Sequence, residues 1–167
     1  PRELRFEIEE RIDGAGKVRT PLATTALGEI AASLRSHKVE ALAISFLNAY
    51  LDPAHEQAAA AELRRLLPDV FVTTGSELTR EWHEFERTAT SAANAYVGPQ
   101  VSRYIAEFDR ELRSGGFEGS LLLMGSHGGV ISAERGCREP ITLVESGPVG
   151  GCIGAGAYGG LLGIDNL

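Results

Sequence analysis

A nearly continuous apolar run, Ala41–Leu47, lies between two segments of helical periodicity, and this arrangement restricts the fold more than any other feature. Such a run is typical of a strand that is buried on both faces in a parallel sheet. Residues 24–37 repeat apolar side chains at the spacing of one helix face, and Asp52-Pro53 begins a second predicted helix that ends near Leu67. A strand between two helices predicts an α/β fold with right-handed crossovers.

The other segments continue this alternation. Residues 4–22 alternate apolar and polar side chains around the turn signal Asp13-Gly14-Ala15-Gly16, which predicts an N-terminal β-hairpin. A short strand is predicted at 70–73 and a short buried strand at 121–124. A long helix is predicted at 86–113, which Gly98-Pro99 would kink or divide in two. We therefore expect a hairpin followed by a parallel or mixed sheet with crossover helices.

Composition excludes several classes of function. The 167 residues carry a net charge of −7, which argues against a nucleic-acid or membrane-surface partner, since both usually require a basic face. The longest apolar run is far shorter than the ~20 residues of a membrane-spanning helix. The two cysteines form no CxxC motif, and we expect reduced thiols in a cytoplasmic protein. No metal site is predicted, because Arg87 stands where a zinc-protease helix would need its second histidine.

The loop at 125–129 is the first candidate site. It follows the last predicted strand, and loops at the carboxyl ends of parallel strands usually bind ligands. Ser126 and His127 offer a hydroxyl and an imidazole, and Gly128 and Gly129 would let a ligand approach the main chain. The alternative is a tight strand-to-helix turn whose polar side chains merely cap the helix. His37 and His55 are expected on polar, solvent-facing sides of helices.

Glycine is concentrated in the C-terminal third, where fifteen of the twenty glycines lie from Gly115 onward. The densest run, at 145–157, lacks the Lys-Ser/Thr of a P-loop, which disfavours phosphate binding. Small residues at 147, 150, 151, 154 and 155 instead predict a helix face that packs closely against a neighbour. Ser146 is predicted to cap this helix.

The charged segment Glu81–Arg87 leads into the long predicted helix. A solvated charged turn is one interpretation of it. The other is that Glu86, Arg87 and Thr88 contribute to a site.

Four motifs, together with the segments Phe6–Ile12 and Ala43–Tyr50, resemble the hydantoinase A / 5-oxoprolinase family, which includes ATP-binding subunits of acetone and acetophenone carboxylases. They are ERTAT at 86–90, NAYVGP at 94–99, SHGG at 126–129 and SGPVGG at 146–151. The resemblance implies part of an actin-like (ribonuclease H-like) ATPase fold. Residues 1–85 would form the family's N-terminal region, and residues 86–167 would begin the hydantoinase A domain. It also implies an internal part of a longer subunit, whose phosphate loops lie outside this chain.

The resemblance further implies that the whole protein uses ATP and Mg²⁺ and works with a hydantoinase B-type partner subunit. Ser126 and His127 would be its catalytic residues in this chain. The residues implied to line the substrate or nucleotide cleft are Gly128, Gly129, Ser146, Gly147, Glu86 and Arg87. The resemblance places His127 where many relatives carry Asn, and this departure implies a change of substrate specificity or of acid–base chemistry.

Three functions follow from the resemblance. The first is ATP-driven opening of a cyclic amide, in which the amide oxygen is phosphorylated and water then opens the ring. The second is ATP activation in an acetone- or acetophenone-type carboxylase. The third is a non-catalytic scaffold that docks a partner subunit.

Overall fold

The computed structural model describes residues 2–164 and residue 166. It divides into two compact units, residues 1–99 and residues 100–167. The division falls inside a helix, and the domain boundary expected at 85/86 remains a prediction. Among the described residues, no helix combines the length and the apolar character that would be needed to cross a membrane.

The first unit alternates strands and helices as the sequence predicts. A single turn of 3₁₀ helix at Arg2–Leu4 precedes them. The elements that follow are β1 (Arg11–Ile12), β2 (Val18–Thr20), α1 (Thr25–Ser36), β3 (Ala41–Ile44), α2 (Ala54–Leu66), β4 (Phe71–Thr74), α3 (Gly75–Leu78) and the start of α4 (Glu84–Ser114).

The N-terminal hairpin is confirmed but is shorter than predicted. Strands β1 and β2 pair antiparallel, and Arg11 is the first paired residue. Phe6 and Ile8, which were expected in the first strand, pack instead against the hydrophobic core. Packing of their half-buried side chains against that core therefore replaces strand pairing at this end of the hairpin.

Strands β3 and β4 form a parallel pair, with Ala41 beside Phe71 and Ile44 beside Thr74. Helix α2 is the crossover between them, and α1 and α2 bury their apolar faces together. The core comprises Leu27, Ile30, Ala31, Leu34, Ile44, Ala59, Ala60, Leu63, Leu67 and Val72. Within β3 only Ile44 is buried and the other residues are half-buried, so the expected burial on both faces is only partly met.

In the second unit the order of elements differs from the prediction. Helix α4 is a single helix with Pro99 inside it, and it ends at Ser114. The remaining elements are β5 (Leu122–Met124), β6 (Val130–Ser132), α5 (Ala133–Arg138), a 3₁₀ turn (Pro140–Leu143) and α6 (Ser146–Leu162).

Strand β5 is half-exposed and pairs antiparallel with β6. The expectation of a buried strand before 125–129 was therefore wrong, and so was that of a parallel one. Strand β6 was missed because three residues after two glycines carry no periodic signal.

Candidate functional site

Two fully buried charged side chains hold the main chain just beyond the carboxyl end of β3. Glu56, in the first turn of α2, accepts the Phe46 N–H through Oε1 and the Ser76 N–H through Oε2, both at 2.8 Å. Arg87, in the first turns of α4, donates through Nη2 to the Phe46 carbonyl at 2.8 Å. Opposite charges thus fix both peptide groups of Phe46, and one carboxylate joins the segments that follow β3 and β4.

Arg87 has donor capacity that the described residues do not use. Its Nε and Nη1 atoms are buried without a hydrogen-bond partner among them. Its guanidinium lies 5.6 Å from the centroid of the Tyr50 ring, within the range of a cation–π contact. A buried donor without an acceptor costs free energy, so native structures contain few of them. These two nitrogens therefore indicate that the region around Arg87 is a candidate functional site.

A hydroxyl pair lies beside these charges. Ser45 Oγ and Thr88 Oγ1 are 2.7 Å apart, and the Thr88 side chain is exposed at the surface of α4. Gly75 lies between the groups, because a Cβ built on it would be 3.6–3.7 Å from Glu56 Oε1, Arg87 Cβ and Ser45 Oγ. We call Ser45, Glu56, Gly75, Arg87 and Thr88 the strand-end cluster. It occupies the edge where parallel sheets usually bind ligands.

The structure separates two residues that were expected to share a cleft. Arg87 is fully buried, whereas Glu86 is exposed. Consecutive residues of an α-helix point about 100° apart, so one can face the protein while the other faces solvent. The motif at 86–88 thus contributes Arg87 and Thr88 to the strand-end cluster, but not Glu86.

Residues 125–129 form the tight turn between the antiparallel strands β5 and β6. The Gly125 N–H donates to the Gly129 carbonyl at 2.7 Å, and the Ser126 N–H donates to the Thr142 carbonyl at 2.7 Å. Gly128 adopts a φ of 84°, which favours glycine. The prediction of a loop at the end of a parallel strand was therefore wrong in its topology, although it placed these residues correctly after a strand.

Ser126 and His127 are both exposed on this turn. The Gly129 N–H donates to His127 Nδ1 at 3.0 Å. A neutral imidazole that accepts at Nδ1 carries its proton on Nε2. This nitrogen lies over Gly125, because a Cβ built on that glycine would be 2.9 Å from it. The turn can therefore present an oriented donor to a ligand.

The glycine-rich run is helical, as predicted, and Ser146 is the first residue of α6 rather than its cap. Glu145 occupies the cap position with a left-handed φ of 63°. The predicted close packing is not seen at this face. At Gly150 an added Cβ would make only an ordinary van der Waals contact, 3.6 Å from Met124 Cγ. A Cβ at Gly147, Gly151 or Gly154 would meet no neighbouring side chain within 4 Å among the described residues.

The described residues do not fit a magnesium nucleotide by themselves. They contain no group of three or more His, Cys, Asp or Glu side chains placed to hold a metal ion. The amides of the glycine-rich run belong to a helix and are not splayed around a phosphate-sized space.

Comparison with known proteins settles the family. A profile described as hydantoinase/oxoprolinase matches residues 87–167, and one described as the hydantoinase/oxoprolinase N-terminal region matches residues 1–67. The chain belongs to the hydantoinase/oxoprolinase family. The resemblance carried by the motifs at 86–99, 126–129 and 146–151 is thereby confirmed.

Curated members of the hydantoinase/oxoprolinase family match nearly the whole chain. The caprolactamase subunit alpha of Pseudomonas jessenii is 34% identical over 167 residues, which is 100% of this chain and 24% of that protein. An uncharacterized protein of Methanocaldococcus jannaschii is 37% identical over 161 residues, covering 96% of this chain and 24% of its own length. The acetone carboxylase beta subunit of Xanthobacter autotrophicus is 26% identical over 171 residues, covering 100% of this chain and 24% of its own. The chain thus spans about a quarter of these relatives.

Two solved structures from the family share the fold. A nucleotide-free acetone carboxylase superposes with a TM-score of 0.81 at 25% identity, over 93% of this chain and 22% of that one. The ATP-dependent caprolactamase of Pseudomonas jessenii superposes with a TM-score of 0.73 at 37% identity, over 80% of this chain and 19% of that one. The mixed α/β fold class predicted from the sequence is confirmed.

The sequence pattern did not reveal Glu56, and its prediction of a surface position for His55 was wrong. Glu56 is fully buried on the same face of α2 as Ala59, Ala60 and Leu63. A carboxylate at an apolar-face position was the signal that could have revealed it. His55 was expected at the surface, but it is buried, and its Nδ1 lies 2.7 Å from Glu10 Oε2. A distant acidic partner therefore permits a polar residue of α2 to be buried.

Proposed function

We propose that the whole protein containing this chain is an ATP-dependent enzyme that opens a cyclic amide. The observation that carries the proposal is the 34% identity to the caprolactamase subunit alpha along all 167 residues. The shared fold with the ATP-dependent caprolactamase supports it. Because the chain spans only about a quarter of these relatives, the activity would belong to the whole protein and not to these residues alone.

The described residues would act on the substrate side of this reaction. An amide is a poor electrophile, and its activation with ATP is what the family implies. We assign Ser126 and His127 to the substrate cleft, where the Nε2–H of His127 would donate to a substrate oxygen. Gly128, Gly129, Ser146 and Gly147 would line the same cleft. Glu86, on the exposed side of α4, is proposed to contact substrate or nucleotide in the whole protein. Arg87 would be a positioning residue, since it holds the Phe46 carbonyl.

The protein would work with a partner subunit in the cytoplasm, and we propose a hydantoinase B-type partner. The relatives from Pseudomonas and Xanthobacter are each named as one subunit of an enzyme. That naming supports a hetero-oligomer as the working form of the whole protein.

A second candidate is an ATP-activating subunit of a ketone carboxylase. The acetone carboxylase structure superposes over more of this chain than the caprolactamase does, 93% against 80%, and with the higher TM-score. Sequence identity favours the amide-opening enzyme, at 34% against 26% for the curated sequences. We therefore retain the carboxylase as the alternative that the same experiment separates.

The test is phosphate release from MgATP by the whole protein co-purified with its partner subunit. Caprolactam, hydantoin and 5-oxoproline are assayed in parallel with acetone and acetophenone in bicarbonate. Each cyclic amide has its own ring-opened product as the matched control. The proposal expects one cyclic amide to stimulate phosphate release and its ring-opened product to accumulate.

If a ketone stimulates phosphate release, and does so only in the presence of bicarbonate, the protein is a carboxylase subunit and the proposed ring opening is wrong. If no substrate gives ATP cleavage, both enzyme functions are overturned, and the non-catalytic scaffold that docks a partner subunit is the remaining alternative. Product analysis by mass spectrometry distinguishes ring opening from uncoupled ATP cleavage.

A further inference from the structure

The first unit contains a cavity of about 290 Å³. Three buried aliphatic residues of its lining are Ile30, Ile44 and Leu63, and half-buried apolar residues such as Phe6 and Ile8 extend this surface. The volume lies at the small end of the roughly 300–1,000 Å³ that is typical of ligand pockets. Its apolar part suits a small hydrocarbon body, such as one ring.

The polar residues of the lining are concentrated among its more exposed members. Arg5 and Thr88 are the exposed residues of the lining, and Ser45 is half-buried beside Thr88. Arg5 is the sole charged residue among the described residues that line the cavity. A chain with a net charge of −7 thus has a cavity whose lining carries one positive charge and no carboxylate.

The hydroxyl pair leaves one donor for a ligand. Ser45 Oγ and Thr88 Oγ1 are 2.7 Å apart, so one hydroxyl donates to the other. The accepting hydroxyl keeps its own proton, which can be donated to a third oxygen. A carboxylate oxygen accepts such a bond more strongly than a neutral oxygen does.

The wall beside these hydroxyls is held rigidly. Phe46 lines the cavity, and its N–H and carbonyl are fixed by Glu56 and Arg87. These two buried charges have opposite signs and bind the same residue, so their fields at the cavity partly offset each other. The unbalanced charge of the lining is therefore that of Arg5, and the fixed wall reduces the entropy lost when a ligand binds.

We infer that this cavity binds a small monocarboxylate with an apolar body. The body lies on the aliphatic surface, and the carboxylate accepts from the hydroxyl pair and faces Arg5. The inference goes beyond the proposed function and stands on the first unit alone, without reference to ATP or to ring opening.

The experiment compares two probes that share one body and differ in charge, cyclohexanecarboxylate and cyclohexanecarboxamide. Binding of each to the whole protein is measured by isothermal titration calorimetry without nucleotide. The carboxylate is expected to bind more tightly. Arg5→Gln should weaken it about two- to fivefold, as expected for a partly exposed charge pair, and should leave the amide unchanged. Arg2→Gln, an exposed arginine outside the lining, is the matched control.

A second variant tests the cavity itself. Ala43 lines it, so Ala43→Phe is expected to fill the space and abolish binding of both probes. Ala61→Phe, on the exposed face of α2, is the matched control that should bind normally. Thermal unfolding verifies that each variant folds, and if Ala43→Phe does not, Arg5→Gln still carries the test.

The inference is overturned if the carboxylate does not bind, if both probes bind equally, or if Arg5→Gln behaves like Arg2→Gln. These binding measurements are made without nucleotide, so none of their outcomes depends on substrate-stimulated ATP cleavage. Failure here and failure of the proposed function are therefore distinguishable.

Discussion

Asp13 closes the β1–β2 turn through its carboxylate. Oδ1 accepts the Ala15 and Lys17 N–H groups at 2.9 Å, and Oδ2 accepts from Arg19 Nε at 2.7 Å. The N–H groups of Lys17 and Ala15, with a smaller contribution from Arg19, lower the pKa of Asp13 below its ordinary value. The charged carboxylate is therefore the form that holds this turn together.

Asp13→Ala is expected to lower the melting temperature at neutral pH. Because the folded-state pKa is depressed, the stabilisation is fully present above the ordinary pKa of about 3.9 and is lost as the pH falls through the lowered value. The difference between the parent protein and Asp13→Ala should therefore shrink below pH 4 in thermal unfolding experiments. A difference that stays constant or grows towards acid pH would contradict this role, and Asp69→Ala serves as the exposed control.

Glu56 performs a different task, since it satisfies two main-chain donors while fully buried. Glu56→Gln replaces one accepting oxygen with an NH₂ group that faces an N–H. We expect the free energy of unfolding to fall by about 1.5–3 kcal/mol, the typical value of a hydrogen bond to a charged group. Urea-induced unfolding of the parent protein and of Glu56→Gln measures this loss of stability. Glu62→Gln on the same helix removes only a surface ion pair with Arg65 and should lower the free energy of unfolding much less than Glu56→Gln does. Equal effects of the two variants would contradict the buried role.

At the scale of elements, α4 approaches β4 closely at one glycine. A Cβ at Gly98 would lie 2.5 Å from Cε1 of the Phe71 ring. Gly98 therefore allows this contact, even though glycine within a helix costs about 0.5–1 kcal/mol relative to alanine. The preceding turns of the same helix carry Arg87 and Thr88, so the contact helps to hold the strand-end cluster.

Gly98→Ala is expected to destabilise the protein by about 1–3 kcal/mol, because the added methyl group displaces the Phe71 ring. In the Phe71→Leu background the same substitution should cost much less, which a double-mutant cycle measures. Gly28→Ala, at an exposed helical position with no atom within 4 Å of the added Cβ, should instead stabilise by about 0.5–1 kcal/mol. A stabilising Gly98→Ala would show that the two elements are not in close contact.

At the scale of the whole molecule, the β5–β6 turn is where stability and activity can be separated. His127 accepts from Gly129, and an Asn at this position can accept from the same N–H. His127→Asn is therefore expected to leave the melting temperature nearly unchanged. Substrate-stimulated ATP cleavage should fall about 10²-fold or more if the imidazole acts as a general acid or base. An unchanged kcat would remove His127 from the catalytic residues.

Ser126→Ala is the variant against which His127→Asn is compared. Its N–H is bound to the Thr142 carbonyl, and that bond does not depend on the side chain. Ser126→Ala should therefore preserve the turn while removing the hydroxyl. Loss of activity in His127→Asn but not in Ser126→Ala would assign the chemistry to the imidazole alone.

The sequence by itself determined the local elements and the family. Apolar spacing predicted α1, α2 and α4, and the Asp13–Gly16 turn predicted the hairpin, because these signals depend only on neighbours within a few residues. The motifs at 86–99 and 146–151 identified the family for the same reason, since each is contiguous along the chain. The candidate residues Ser126, His127 and Arg87 were likewise chosen from local motifs.

Only the tertiary structure decided how strands pair and which polar groups are buried. β5 pairs antiparallel with a strand too short to carry a periodic signal, and Phe6 packs against the core instead of pairing in the hairpin. Glu56 and His55 are buried because Phe46, Ser76 and Glu10 provide their hydrogen-bond partners. Those partners lie ten to forty-five positions away in the sequence. A polar side chain is buried only where the fold supplies its partners, and no local pattern contains that information.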